Sequence, residues 1–367
     1  MTQPSSDARR YARLRYRLLL VDLLGWLAFL FAYQRLGLSA LTAQWTEALT
    51  PYEPGRLLAY VAVFSVCYYV VFFPLHLYAD LFLERRFGLS KLRLGGWAVR
   101  EAKRVVLSAG FGLLLIEGLY AVLRSMPAVW PLVATAGWVI VSIVLVRIFP
   151  TVLLPLFYKT IPLQDDELVQ RLTDLCRCVG LSVVGVFRVN LGVETRKANA
   201  ALAGLGRTRR VLLSDTLLEH FAPEEIETVL AHELGHQRYR HITQMLVISA
   251  IGTWLAFSVV ALTSAWWVQR WGLRGLDDLA GFPMLMLSLS VIGLVGLPLQ
   301  NALSRHFEWQ ADRFAVSTTT RAQAFASALK KLGQLNLADP NPPRWIAWLF
   351  YDHPPITQRI HAAEVAG

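Results

Sequence analysis

The chain is poor in charge: only 17% of its 367 residues are Asp, Glu, Lys or Arg, against 55% hydrophobic residues. With a mean hydropathy of +0.42, that scarcity excludes an ordinary soluble enzyme and fits a chain that crosses a membrane several times. Cysteine is scarcer still. Cys67, Cys176 and Cys178 are an odd, sparse set, so no disulfide framework is expected and a reducing compartment fits. Cys176 and Cys178 lack the further ligands that a cysteine zinc site needs. Internal repeats and low-complexity tracts are also missing. Acids are outnumbered, 26 to 36, for a net charge of +10. The basic residues gather beside apolar segments and not on one polar face, which argues for membrane topology and anionic lipid headgroups and against nucleic acid.

Long apolar runs are what the chain has. Residues 1–17 carry five arginines and precede a run from about Leu18 to Leu36. That run is too long for a signal peptide and no small-residue cleavage site follows, so a retained first membrane helix is expected, with Asp22 near the headgroups or inside the bundle. Further runs cover about Leu57 to Leu77, Val105 to Leu123, Val129 to Phe157, Met245 to Val268 and Phe282 to Leu303. Each approaches or exceeds the roughly 20 residues that cross a ~30 Å hydrocarbon layer. Glu117 and Arg147 fall within these runs and are candidates to pair. Segments 1–17, 78–104, 159–242 and 304–367 alternate with the loops 37–56, 124–128 and 269–281, and the basic residues concentrate in the first group. The positive-inside rule then predicts six crossings with both termini and the polar segments on the cytosolic side.

Residues 159–242 form a more polar lobe: an acid-led amphipathic helix over Pro162 to Val179, then strand candidates at Val183 to Val189, Ala198 to Leu205 and Arg210 to Leu213. The chain thus divides into an N-terminal membrane region, 1–158, and a second region, 159–367, holding the polar lobe and the last two crossings. The expected class is a mainly α polytopic membrane protein with an α+β lobe and a short sheet.

The lobe ends in Ala231-His232-Glu233-Leu234-Gly235-His236. On a helix, residues i and i+4 share a face, so His232 and His236 can both reach one Zn²⁺, and Glu233 lies near enough to take a proton from a water there. Pro223, Glu224 and Glu225 make a well-formed helix start. Far downstream, Glu308 and Asp312 again stand one turn apart. A catalytic zinc takes three protein ligands and leaves one position open. Glu308 can supply the third, and Asp312 can accept the second ring N–H of a ligating histidine.

In these motifs the chain resembles the type I CAAX prenyl proteases, polytopic zinc metalloendopeptidases with HExxH and a distant ExxxD. The resemblance runs from the second crossing to the C-terminus. It is carried by Glu84-Arg85-Arg86-Phe87-Gly88, Leu154-Pro155-Leu156-Phe157-Tyr158-Lys159, Lys197-Ala198-Asn199-Ala200, Ser214-Asp215-Thr216-Leu217-Leu218, the helix of His232, residues 301–312, and Asp352-His353-Pro354-Pro355 with Arg359. It implies one Zn²⁺ on His232, His236 and Glu308, with Glu233 as general base. It also implies Asn199 beside an edge strand that pairs with the substrate backbone, and His353 near the metal as an oxyanion donor. The substrates implied are membrane-associated or lipid-modified peptides and proteins.

Arg305 and Arg359 read as structural ion-pair formers, and His241, His306, His76 and His220 as bland. The chain is shorter than eukaryotic members, with six expected crossings where they have seven, and fits a bacterial member in the inner membrane. Prenyl recognition is therefore the least transferable implication. The polar surroundings of the HExxH helix disfavour a site buried within the bilayer. A heat-shock quality-control endopeptidase of the same branch, and an inactive membrane scaffold or chaperone, remain as alternatives.

Overall fold

The computed structural model describes residues 6–204 and 206–366. Helix α1 (Ser6–Arg35) is followed by a short α2 (Leu38–Leu49) and by α3 (Glu53–Leu77), which continues through a widened π-type turn into α4 (Glu84–Arg86). Next come α5 (Leu94–Ser125) and α6 (Trp130–Ile148), the latter running through a second π-type turn into α7 (Leu154–Phe157). Six helices among the described residues are long and apolar enough to cross a membrane, ending with α11 (His241–Trp271) and α12 (Phe282–Thr319). Their interior is aromatic: Tyr33, Tyr60, Phe64, Tyr120, Trp130, Trp267 and Phe282 pack with Leu30, Leu57 and Val260. The apolar residues left exposed on these helices, such as Val66, Val70, Leu262 and Val295, suit a lipid surface.

The polar lobe holds β1 (Thr160–Pro162), α8 (Asp166–Cys178), β2 (Val186–Val189), β3 (Ala200–Ala203), β4 (Arg210–Ser214), α9 (Asp215–His220) and α10 (Pro223–Arg238). The strand order is β1-β2-β4-β3. β2 and β4 are parallel, while β1–β2 and β3–β4 are antiparallel. Leu172 and Cys176 of α8, Val211 and Leu213 of β4, Leu217 of α9, and Ile226, Leu230 and Leu234 of α10 form the core of this lobe. The tail adds α13 (Ala322–Leu335), α14 (Arg344–Phe350) and α15 (Ile356–Val365).

Several local expectations change. The loop expected at 37–56 contains α2, whose Ser39 Oγ reaches Tyr60 Oη at 2.6 Å and donates to the Ala280 carbonyl at 2.7 Å. At 12 residues it is about 18 Å long, too short to span and so invisible to a span-length criterion. The helix expected from Pro162 starts at Asp166, because Asp165 caps it by accepting from the Leu168 N–H at 3.0 Å. Pro162 itself closes the edge strand β1. Helices α5 and α12 extend well beyond their apolar cores. Glu117 and Arg147 form no ion pair with each other, whereas Asp22 sits 3.2 Å from His76 Nε2.

Helix α12 joins the two halves. Its first part is a membrane span; its second part, from Asn301, packs along α10 and carries Glu308 and Asp312 to the polar lobe. Glu84 ties the halves from the other side. It pairs with Lys197 at 2.9 Å and accepts from the Tyr11 hydroxyl.

Candidate metal and catalytic site

Helix α10 begins where Pro223 needs no N–H partner and the Glu225 carboxylate accepts from the Ala222 N–H at 2.8 Å. It runs unbroken through His232 and His236, so both imidazoles face α12. His232 Nε2 lies 3.2 Å from His236 Nε2 and 3.4 Å from Glu308 Oε2, and His236 Nε2 lies 3.2 Å from Glu308 Oε1. A tetrahedral ion with bonds of about 2.0–2.1 Å has ligand–ligand edges of roughly 3.3–3.4 Å. The three spacings match those edges. Glu308 Oε2 is buried and accepts no hydrogen bond from the described residues. A buried carboxylate oxygen without a hydrogen bond, beside the His232 nitrogen, is costly unless a cation completes it. The donor set therefore fits a divalent metal ion of the kind that takes nitrogen and oxygen ligands.

Around this group the other side chains are held in place. His232 Nδ1 bonds Asp312 Oδ1 at 2.8 Å. Burial works against a charged His232, but the neighbouring Asp312 and Glu308 carboxylates outweigh that and lift its pKa from 6.5 to about 9 in the metal-free protein. Arg359 of α15 grips Asp312 with both arms, Nε to Oδ2 at 2.8 Å and a terminal nitrogen to Oδ1 at 2.6 Å. It also stands 3.6 Å from Glu308 Oε2. Glu233, half-buried on the same helix as the two histidines, acts electrostatically on Arg359.

His353 enters from the loop between α14 and α15. Its Nε2 is 3.3 Å from Glu308 Oε1, and its Nδ1 bonds Asp352 Oδ1 at 2.8 Å. The bond to Asp352 raises the His353 pKa and lowers that of Asp352. Arg305 positions this loop by donating to the carbonyls of Ala347, at 3.2 Å, and Tyr351, at 2.5 Å. Tyr351 in turn meets the Tyr16 hydroxyl at 2.6 Å, which anchors the loop to α1.

Asn199 lies just before β3, with its side chain exposed. Its backbone is paired: the Asn199 carbonyl accepts from the Ser214 N–H at 3.0 Å, and its own N–H donates to Ser214 Oγ at 3.0 Å. Thr216 Oγ1 donates to the Lys197 carbonyl at 2.8 Å, and Asp215 Oδ1 accepts from the N–H groups of Leu191 and Gly192. The Ser214-Asp215-Thr216 stretch thus fixes the strand that Asn199 begins. That strand, β3, is an edge of the sheet and packs near α10.

The structure accordingly gathers His232, His236, Glu308, Asp312 and His353 about one point and sets Asn199 at the end of the edge strand nearby. Arg359 is the ion-pair former that the sequence suggests, and its partner is Asp312, so it steadies the Asp312–His232 contact. His241, bland in the sequence, has its Nδ1 3.0 Å from His236 Nδ1. It starts a new helix after Arg240, whose φ is +56°, so helical spacing from His236 could not place it.

Six described helices long and apolar enough to cross a membrane, with an HExxH helix and a converging distant glutamate, define an integral membrane metalloprotease. The chain belongs to peptidase family M48, whose model matches residues 162–366. Residues 3–159 match a second model, described as CAAX prenyl protease N-terminal, five membrane helices. Among the described residues, four helices of that region are long and apolar enough to cross a membrane, and α2, at 12 residues, is not. The sequence is 26% identical over 362 residues to an "Uncharacterized metalloprotease YhfN" of Bacillus subtilis, covering 97% of this chain and 84% of that one. It is 28% identical over 304 residues to a CAAX prenyl protease 1 homolog of Arabidopsis thaliana, covering 79% and 69%. The fold matches the crystal structure of S. mikatae Ste24p with a TM-score of 0.86 at 23% identity, over 97% of this chain and 88% of that one.

Proposed function

We propose that the chain is a zinc endopeptidase in which His232, His236 and Glu308 hold one Zn²⁺ and Glu233 is the general base. The observation that carries this is the set of three matched spacings among the Nε2 atoms of His232 and His236 and the two oxygens of Glu308, of which Oε2 is buried and without a hydrogen bond. When bound, zinc lowers the pKa of a water toward ~7 and polarises the scissile carbonyl. Glu233 takes the proton of the attacking water and returns it to the leaving amine. Asp312 and Arg359 keep His232 in the tautomer that leaves Nε2 free for the ion. His353, whose pKa is raised by its hydrogen bond to Asp352, donates to the carbonyl oxygen as it gains negative charge. The unpaired side of β3, with Asn199 at its end, receives the substrate as an added strand.

The substrates we propose are membrane-associated or lipid-modified peptides and proteins, reached from a site beside the lower half of α12. Residues 1–158 serve as membrane body and 159–367 as the peptidase region with two further spans. Both termini and the site face the cytosol of a bacterial inner membrane, supported by the basic residues of the polar segments.

The test is zinc content and cleavage of a quenched peptide, with and without chelator, in purified full-length protein. Glu233→Gln is expected to keep zinc and lose turnover, whereas His232→Ala, His236→Ala and Glu308→Ala lose the metal. Full zinc occupancy in all three ligand variants would overturn the assignment.

A further inference from the structure

Behind His236 lies a file of polar side chains that the proposed mechanism leaves unused. His236 Nδ1 faces His241 Nδ1 at 3.0 Å, His241 Nε2 faces Gln310 Oε1 at 2.9 Å, and Gln310 Nε2 faces His306 Nε2 at 3.2 Å. The file runs from the buried centre to an exposed histidine on the outer side of α12. His241 itself is 3% exposed, and its ring lies flat on Phe307, with centroids 4.4 Å apart and planes at 14°.

Two facing ring nitrogens make a hydrogen bond only if one carries a proton and the other a lone pair. A neutral histidine that gives its Nε2 lone pair to a metal carries its proton on Nδ1. His236 must then donate to His241 Nδ1. His241 is left with its proton on Nε2 and donates that to the carbonyl oxygen of Gln310. Gln310 has only its amide NH₂ to offer onward, and it meets His306 Nε2. Every partner in the file is satisfied in this one direction.

The two ligating histidines are therefore supported differently. His232 has the Asp312 carboxylate at its Nδ1, while His236 has a second imidazole whose polarity is set by an amide.

We infer that His241 is a positioning residue for the metal centre, fixing the tautomer and ring plane of His236, with Gln310 fixing the polarity of His241. This rests on His236 being a ligand. Partners of this kind change metal affinity by about 10–100-fold when removed.

The experiment is a zinc affinity titration of the full-length protein in detergent, in competition with a chromophoric chelator. His241→Phe keeps an aromatic ring against Phe307 but offers no acceptor, and should weaken zinc by at least about 10-fold. His241→Asn places an amide oxygen where Nδ1 stood and should recover most of that loss. Gln310→Leu removes the next link from a half-exposed position, so it reports even where His241→Phe fails to fold, and should weaken zinc several-fold. Gln310→Glu, which can only accept, should bind zinc at least as tightly as the parent.

Unchanged affinity in both His241→Phe and Gln310→Leu would overturn the inference while leaving the ligand assignment intact. A large loss in Gln310→Glu would overturn the direction of the file. Absence of tight zinc binding in the parent protein would overturn both this inference and the reading beneath it.

Discussion

Gly235 on α10 packs against Ala311 on α12 so closely that a β-carbon at Gly235 would stand 3.0 Å from the Ala311 Cα. It would also lie 3.3 Å from the Cβ atoms of Ala311 and Phe314. The obstructing atoms belong to a helix backbone and to carbons fixed on it, so no side chain can swing aside. Each of the two residues adjoins a group at the site, His236 on one helix and Asp312 on the other. Their contact therefore sets how near the two imidazoles come to Glu308. Gly235→Ala is expected to push the helices apart by a few tenths of an ångström and to cost about 1–3 kcal/mol, as overpacking does. Zinc affinity should fall with it. Thermal unfolding and zinc titration on the same preparation check both, and a variant that binds zinc like the parent would show that the site does not depend on this approach.

Arg359 is 9% exposed and its bidentate contact with Asp312 is the buried ion pair of the site. Truncation leaves Asp312 and Glu308 as buried carboxylates with less positive charge to face. Removing one partner of a buried pair costs about 3–5 kcal/mol. Arg359→Ala should therefore lower the unfolding midpoint strongly, most of all in metal-free protein. Arg359→Lys should recover little, since an ammonium cannot span both oxygens of Asp312. Unfolding midpoints of the three proteins with and without zinc test this. A metal-free Arg359→Ala protein as stable as the parent would remove Arg359 from the account.

What could be read before the fold was known, and what could not, follows from the range of each interaction. The apolar spans and the shared face of His232 and His236 depend only on the local helical repeat, so the chain displays them directly. Glu308 and Asp312 share a turn in the same way. That they meet α10 depends on α12 continuing as one helix from lipid into the lobe, which the change in composition after Leu303 disguises. Arg359 lies 47 residues beyond Asp312, and no periodicity connects them. His241 is hidden by the left-handed residue before it, which turns the chain so that a residue five positions on returns to the back of His236. Strand β1 has three residues, one of them proline, and is made by its pairing with β2 and not by any pattern of its own.

His353 and Asp352 give the proposed reaction an alkaline limit. The hydrogen bond that His353 Nδ1 donates to Asp352 is the main cause that raises the His353 pKa above 6.5. A raised histidine keeps its charge, and hence its donated proton at Nε2, below that pKa and loses it as pH rises through it. Activity should therefore fall on the alkaline side as His353 becomes neutral. Asp352→Asn removes the charge that holds the proton, so the limb should move to lower pH while zinc content stays unchanged. The measurement is kcat/KM against pH for both proteins. A limb that stays in place would separate His353 from the titration, and the oxyanion role would need another donor.

The last prediction concerns the open edge of the sheet. Ser214 and Asn199 are joined by a backbone hydrogen bond, and β3 pairs Ala201 with Leu212 in the same register. Backbone groups alternate in direction along a strand. Asn199 and Ala201 therefore turn their N–H and C=O toward β4, and Ala200 turns its own outward, to the side where β3 has no neighbouring strand in the sheet. Proline at Ala200 deletes an outward N–H and leaves the β4 ladder whole, whereas proline at Ala201 deletes a ladder bond. Ala200→Pro should lower kcat/KM about 10-fold, the equivalent of one hydrogen bond of ~1.4 kcal/mol, with little change in the unfolding midpoint. Ala201→Pro should lower the midpoint itself. If Ala200→Pro cleaves peptide as well as the parent, the substrate does not add to this edge, and Asn199 would then stand beside a strand that only builds the lobe.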